Sequence, residues 1–270
     1  MIVHNVKQGS LEWQELRLGI PTASNFHRIV TPATCDLSVS CAPYAWHLIA
    51  ERLLGYSIES PTTALMDRGS ALEAEAVKWY EFDRDADAVK VGFMTTDDGR
   101  IGASPDRLVG DDGLLEVKCP QANNHVGYVL GGLGTFDSEA WERPKKGASV
   151  EAILRARILA GQQCSTDYWP QIQGQMWISE RRWCDILSYH PGLTSSVLRV
   201  SRDDAYIAKL SRAVEAFADC VDAAYRMLAP ERTAMSRGPA QAPVADWLGV
   251  SDEDVHAILA GQARRAEGAA

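Results

Sequence analysis

The chain has 270 residues, 46% hydrophobic and 23% charged, with eight Trp and a formal charge of −9, a composition that excludes a disordered or collagen-like chain. The excess of acid argues against a surface coated in nucleic-acid-binding cations, but not against a basic groove or an acidic pocket filled by metal ions. The longest stretch free of Lys, Arg, Asp and Glu, Cys119 to Phe136, is broken by Pro, Asn and Gly, so it does not make the ~20 mostly apolar residues of a membrane span.

Ser10 to Leu18 predicts a short helix with a serine cap and Gly19 as its stop. Pro21, Thr22 and Ser24 open a second, to about Val30. A third covers Pro43 to Leu54, ended by Gly55, and a fourth runs from about Met66 to Phe82. From Val89 to Cys119 short β-rich runs alternate with turns, and Asp98-Gly99 and Asp112-Gly113 are hairpin signals, so an antiparallel meander is expected. The glycines at 127, 131, 132 and 134 match no phosphate-binding fingerprint and predict a loop. A helix from Gln171 to about Glu180, a strand from Trp183 to Tyr189 and a long amphipathic helix over 205–228 complete the pattern. The fold class is therefore α/β, a mixed sheet flanked by helices. Residues 1–230 are expected to form the domain and 231–270 a partly helical or flexible extension.

Six cysteines without a CxxC pair exclude the usual zinc-ribbon spacings and predict reduced thiols. The first residues, MIVHNVKQGS, lack the apolar core of a secretion signal, so a cytoplasmic location is expected.

The chemistry is concentrated in SPDRLVGDDGLLEVKCP. Glu116 and Lys118 are two apart on one strand and share a face, while Asp106 starts the preceding strand. Two carboxylates suit a hard divalent ion, and a lysine beside them can orient a water and counter charge developing on phosphorus. Alternating charge on a solvated strand is the plain alternative. The turn discriminates between them: an even connection turns Asp106 away from Glu116, whereas an odd one or a bulge sets them face to face. Two further features bear on the site. Glu73 in RGSALEAEAV is a candidate additional ligand or a surface glutamate. Gln171, Gln173 and Gln175 in WPQIQGQMWI are candidates to bond a phosphate or water, or else solvated caps.

Taken in order, WQELRLGIPTAS, RGSALEAEAV, SPDRL with LLEVKCP, and PQIQGQMWI resemble the YqaJ-like viral recombinase (phage lambda exonuclease) family of the PD-(D/E)XK nuclease superfamily, over about residues 9–228. The resemblance implies a restriction-endonuclease-like core and a 5′-to-3′ exodeoxyribonuclease that acts on linear duplex DNA and leaves 3′ overhangs. The alternatives are an endonuclease or single-strand nuclease on the same core, or an inactive DNA-binding module. It further implies two Mg²⁺ ions, replaceable by Mn²⁺, held by Glu73, Asp106, Glu116 and the Val117 carbonyl. Lys118 and Gln173 would act in catalysis, and Arg17, Ser24 and Ser104 would hold the terminal 5′-phosphate, with Gln171 a further DNA contact. Expected partners are DNA ends, a single-strand annealing protein and further copies in a trimeric ring, in a phage- or prophage-carrying bacterium. An insertion over about 134–168, made basic by Lys145, Lys146, Arg155 and Arg157, departs from the pattern.

Overall fold

Ser10 caps the first helix, as expected: its hydroxyl accepts the Trp13 N–H at 3.3 Å, and the chain leaves the helix at Gly19 with φ +65°. The structure, a computed structural model, describes residues 1–58, 64–136 and 164–229. The predicted extension 231–270 and most of the insertion, with its four basic residues, lie outside the described residues. Strand β1 (Ile2–His4) precedes α1 (Leu11–Arg17), and a 3₁₀ turn (Ala23–Asn25) leads into the single turn of α2 (Phe26–Ile29), where one continuous helix was expected. Then follow α3 (Cys41–Leu54), α4 (Ala64–Arg84), β2 (Ala88–Lys90), β3 (Phe93–Thr95), β4 (Gly102–Ala103), β5 (Arg107–Val109) and β6 (Gly113–Lys118). The remaining elements are α5 (Ala122–Phe136), α6 (Tyr168–Ser179), β7 (Trp183–Ser188), β8 (Ser196–Ser201) and α7 (Asp204–Leu228). Among the described residues no helix is long and apolar enough to cross a membrane.

Two expectations need correction. The β-rich region is not one meander: β1, β3 and β4 make a small antiparallel sheet, while β2, β5, β6, β7 and β8 make a mixed sheet in that order. The run from Val89 breaks at Gly92, where a Cβ would lie 2.3 Å from the Val6 carbonyl oxygen, so the first strand region crosses over there and divides between the two sheets. The glycine-bearing stretch after β6 is helical, not a loop. Its buried His125 is bonded through Nδ1 to Ser188 Oγ at 2.8 Å and through Nε2 to the Thr194 carbonyl at 2.9 Å. Tertiary anchoring of this kind overrides the weak helix propensity of glycine.

The β5–β6 turn settles the register. Val109 pairs with Gly113 and Arg107 with Leu115, leaving Gly110, Asp111 and Asp112 as an odd connection, so one further step sets Asp106 opposite Glu116. Arg181 fixes this turn from below, its Nη1 donating to the carbonyls of Gly110 at 2.7 Å and Gly113 at 2.9 Å. The Asp112 carbonyl accepts the Arg182 N–H at 2.8 Å.

The mixed sheet is covered on both faces. Ala76, Val77 and Tyr80 of α4 pack with Leu115, Val117 and Leu187 on one side. Ile172 and Met176 of α6 pack with Leu114, Cys184 and Ile186 on the other. Fully burying each such aliphatic side chain stabilises the fold by roughly 1.5–3 kcal/mol. At Gly174 the helix α6 lies so close to α2 that a Cβ would stand 2.5 Å from the Phe26 ring. The same glycine lies against Ala23, which brings the Ser24 turn to the middle of α6.

Candidate active site

Glu116 is buried at 4% exposure and projects from β6 toward α6. Its Oε1 accepts from Lys118 Nζ and from Gln171 Nε2, both at 2.6 Å, and its Oε2 accepts from Gln175 Nε2 at 2.8 Å. From across the turn, Asp106 Oδ2 accepts the Val117 N–H at 2.7 Å. Because the N–H and C=O of one strand residue point to the same side, the Val117 carbonyl faces Asp106 as well. Lys118 also lies over Tyr168, its Nζ 4.7 Å from the ring centroid.

The charges are held under tension. Burial, reinforced by the neighbouring Glu116 carboxylate, pushes the Asp106 carboxyl well above the ordinary carboxylate range. Burial alone would lower the Lys118 ammonium, but Glu116 and Asp106 outweigh it and hold the lysine charged. Two facing carboxylates, a carbonyl on the same side and this crowding of negative charge make a donor set that fits one hard cation, since Mg²⁺ takes one or two carboxylates and completes its shell with water and phosphate. Gln175 Oε1 is buried without a hydrogen-bond partner among the described residues, an open acceptor beside Glu116 that a water on such an ion would satisfy.

A cavity of about 340 Å³ joins this cluster to the residues expected to hold a phosphate. Glu116, Lys118, Gln171 and Gln175 line it together with Arg17, Ser24 and Ser104. Ser24 and Ser104 come together because the Thr22 backbone bridges to Gly102, just ahead of Ser104, and the Gly102 N–H donates to the Pro21 carbonyl at 3.0 Å. The helix behind Ser24 is a single turn, so its dipole adds little; the anion-binding capacity rests on the guanidinium and hydroxyls.

Two expected residues stand elsewhere. Gln173 does not reach the cavity: its Nε2 donates to the Ser201 carbonyl at 3.0 Å and its Oε1 accepts the Asp203 N–H at 2.9 Å. Two residues along a helix turn a side chain by about 200°, so Gln171 and Gln175 face Glu116 together and Gln173 faces away. Glu73 is on α4, across the sheet from Glu116, where it pairs with Arg107 at 2.8 Å and not with the other carboxylates. Among the described residues no three acidic, His or Cys side chains converge on a metal-sized space.

Sequence reasoning passed over Trp13, Gln8, Gln175 as a partner of Glu116, and Arg107. The indole of Trp13 donates to Ser104 Oγ at 3.0 Å and lies 4.0 Å beneath the Arg17 guanidinium, so one side chain orients two of the residues expected to hold a phosphate. The Trp13–Arg17 spacing of four on a helix is the signal that would have found it. Gln8 Nε2 donates to the carbonyls of Val91 and Pro105, both at 2.9 Å, tying the N-terminal segment to the strand that carries Asp106.

Residues 12–182 match the YqaJ-like viral recombinase domain. The chain is similar in structure to an alkaline exonuclease (LHK-Exo) from Laribacter hongkongensis, with 31% identity and a TM-score of 0.61 over 81% of this chain and 96% of that one. The same exonuclease in complex with dAMP superposes equally well. A phage related exonuclease from Haemophilus somnus, at 14% identity and a TM-score of 0.55 over 77% of this chain and 96% of that one, shares the fold. No curated protein sequence matches this chain. With the domain match spanning more than half of its length and a relative 31% identical over 81% of it, the chain belongs to the YqaJ-like viral recombinase family.

Proposed function

We propose that this chain is a metal-dependent exodeoxyribonuclease that degrades one strand of linear duplex DNA from its 5′ end and leaves a 3′ single-stranded overhang. The observation that carries this reading is the shared cavity, which Arg17, Ser24 and Ser104 line together with Glu116 and Lys118. A terminal phosphate held by the first group sets the reacting bond at a fixed distance, beside the second. The similarity to an alkaline exonuclease, also known with dAMP, supports removal of mononucleotides.

Asp106, Glu116 and the Val117 carbonyl would hold a Mg²⁺ ion, or Mn²⁺ in its place, which when bound activates water and neutralises charge on the leaving oxygen. Lys118 orients the attacking water and offsets charge developing on phosphorus. Gln171 and Gln175 hold the Glu116 carboxylate between them, so its lone pairs are aimed before substrate arrives. Residues 1–230 are the catalytic domain in this reading. A single-strand annealing protein takes up the overhang, in a bacterial cytoplasm and with further copies of the chain in a ring.

The test is digestion of linear duplex labelled at either end. With Mg²⁺, the 5′ label is expected in mononucleotides early, while the 3′ label stays in long strands and a chelator stops both. Early loss of the 3′ label, or cutting of closed circular DNA, would overturn the reading. The two glutamines divide as well. Gln175→Ala is expected to lower kcat roughly 10–100-fold through the loss of support to Glu116. Gln173→Ala is expected to lower stability by about 1–3 kcal/mol, by leaving the Ser201 carbonyl and Asp203 N–H unpaired, with kcat kept. Steady-state rates and thermal unfolding of both variants separate the two effects.

A further inference from the structure

Glu73 and Arg107 line a second cleft, of about 1020 Å³, while the cavity with Glu116 and Lys118 has neither. Arg107 is 5% exposed, and its Nη1 donates both to Glu73 Oε1 at 2.8 Å and to the carbonyl oxygen of Asp106 at 2.6 Å. Neighbouring strand residues alternate faces, so Arg107 emerges on the α4 side, opposite the Asp106 side chain. A permanently charged, planar guanidinium is thereby fixed between the helix carboxylate and the backbone of the strand carboxylate. Glu73 is nonetheless near the Asp106 backbone, since one Arg107 nitrogen bridges its carboxylate and the Asp106 carbonyl.

Resting on the metal-dependent reading above, we infer that Arg107 is a positioning residue that stands in for a cation at Glu73. The ion pair keeps the helix carboxylate from the Asp106–Glu116 pair, and Glu73 becomes a ligand only as that pair opens. A binding-competent state that is only fractionally populated weakens apparent affinity by that fraction. Two sites of unequal strength follow: one at Asp106, Glu116 and the Val117 carbonyl, and a weaker one that must displace the guanidinium from Glu73. The protein thus sets, through one buried arginine, the concentration of metal at which the second ion enters.

Mn²⁺ binding without DNA, followed by the electron paramagnetic resonance signal of free Mn²⁺, tests this on the full chain. The unsubstituted protein is expected to bind one ion tightly and one weakly. Arg107→Gln should tighten the weak site by about fivefold and leave the tight one unchanged, and Glu73→Gln should abolish the weak site. A weak site of the same strength in Arg107→Gln, or one that survives Glu73→Gln, overturns the inference while the metal-dependent reading stands. Absence of any bound Mn²⁺ overturns both. Should Arg107→Gln fail to fold, ¹⁵N-arginine spectra of the unsubstituted protein decide: saturating Mg²⁺ is expected to release the restricted rotation of the Arg107 guanidinium, and an unchanged signal overturns the inference.

Discussion

Lys118→Ala is expected to reduce kcat by on the order of 10³-fold or more, within the range of a positioned proton-transfer or charge-stabilising group. Its Nζ is 2.6 Å from Glu116 Oε1, and it brings the only Lys or Arg charge bonded to that carboxylate among the described residues. Removing it leaves Glu116 with its two amide donors and removes a cation that competes for the same oxygens, so divalent-ion binding should persist. Single-turnover cleavage in Mg²⁺, paired with DNA binding measured by fluorescence anisotropy in Ca²⁺, checks the result. An equal loss of cleavage and binding would contradict the assigned role and leave Lys118 as a structural partner of Glu116.

Arg17→Ala is expected to erase most of the preference for 5′-phosphorylated over 5′-hydroxyl ends, by roughly 10- to 100-fold. That is the scale of a charge-assisted hydrogen bond worth about 1.5–3 kcal/mol. The side chain lies flat against Trp13, at the border between the two clefts. Competition between the two kinds of end in one reaction measures the ratio directly. A preference that survives the substitution would take Arg17 out of the phosphate pocket and return it to the ordinary part of a cation at a helix C-terminus.

Much of this molecule is legible before any coordinates, and the failures are specific. The last helix is plain in the sequence because Ile207, Leu210, Val214, Phe217 and Val221 recur on one face, and all five are buried. The odd turn between Asp106 and Glu116 is the alternative that the metal reading of the pair expects, and the strand pairing has it. Gln173 misled because α6 is buried on every side: Gln171, Gln173 and Gln175 are all inside, so no wet face marks which way the helix is rolled. That rotation is decided by Ile172 and Met176 packing on the sheet and by Gly174 against Phe26, contacts that only the tertiary structure creates. The glycine-bearing α5 misled for a related reason, since a histidine bonded to a strand more than sixty residues away secures it. Arg107 is the subtlest case. It sits inside the most informative motif, next to Asp106, and its bond to Glu73 joins segments 34 residues apart.

The three-residue link between Val109 and Gly113 has a consequence for how relatives of this protein diverge. Each step along a strand swaps sides, so losing or gaining one amino acid there would exchange Asp106 for Arg107 on the Glu116 side, an acid for a base. Losing or gaining two would not. Surface turns ordinarily drift freely in length; this one should drift only in pairs, and single-residue insertions introduced into it should yield folded, silent proteins.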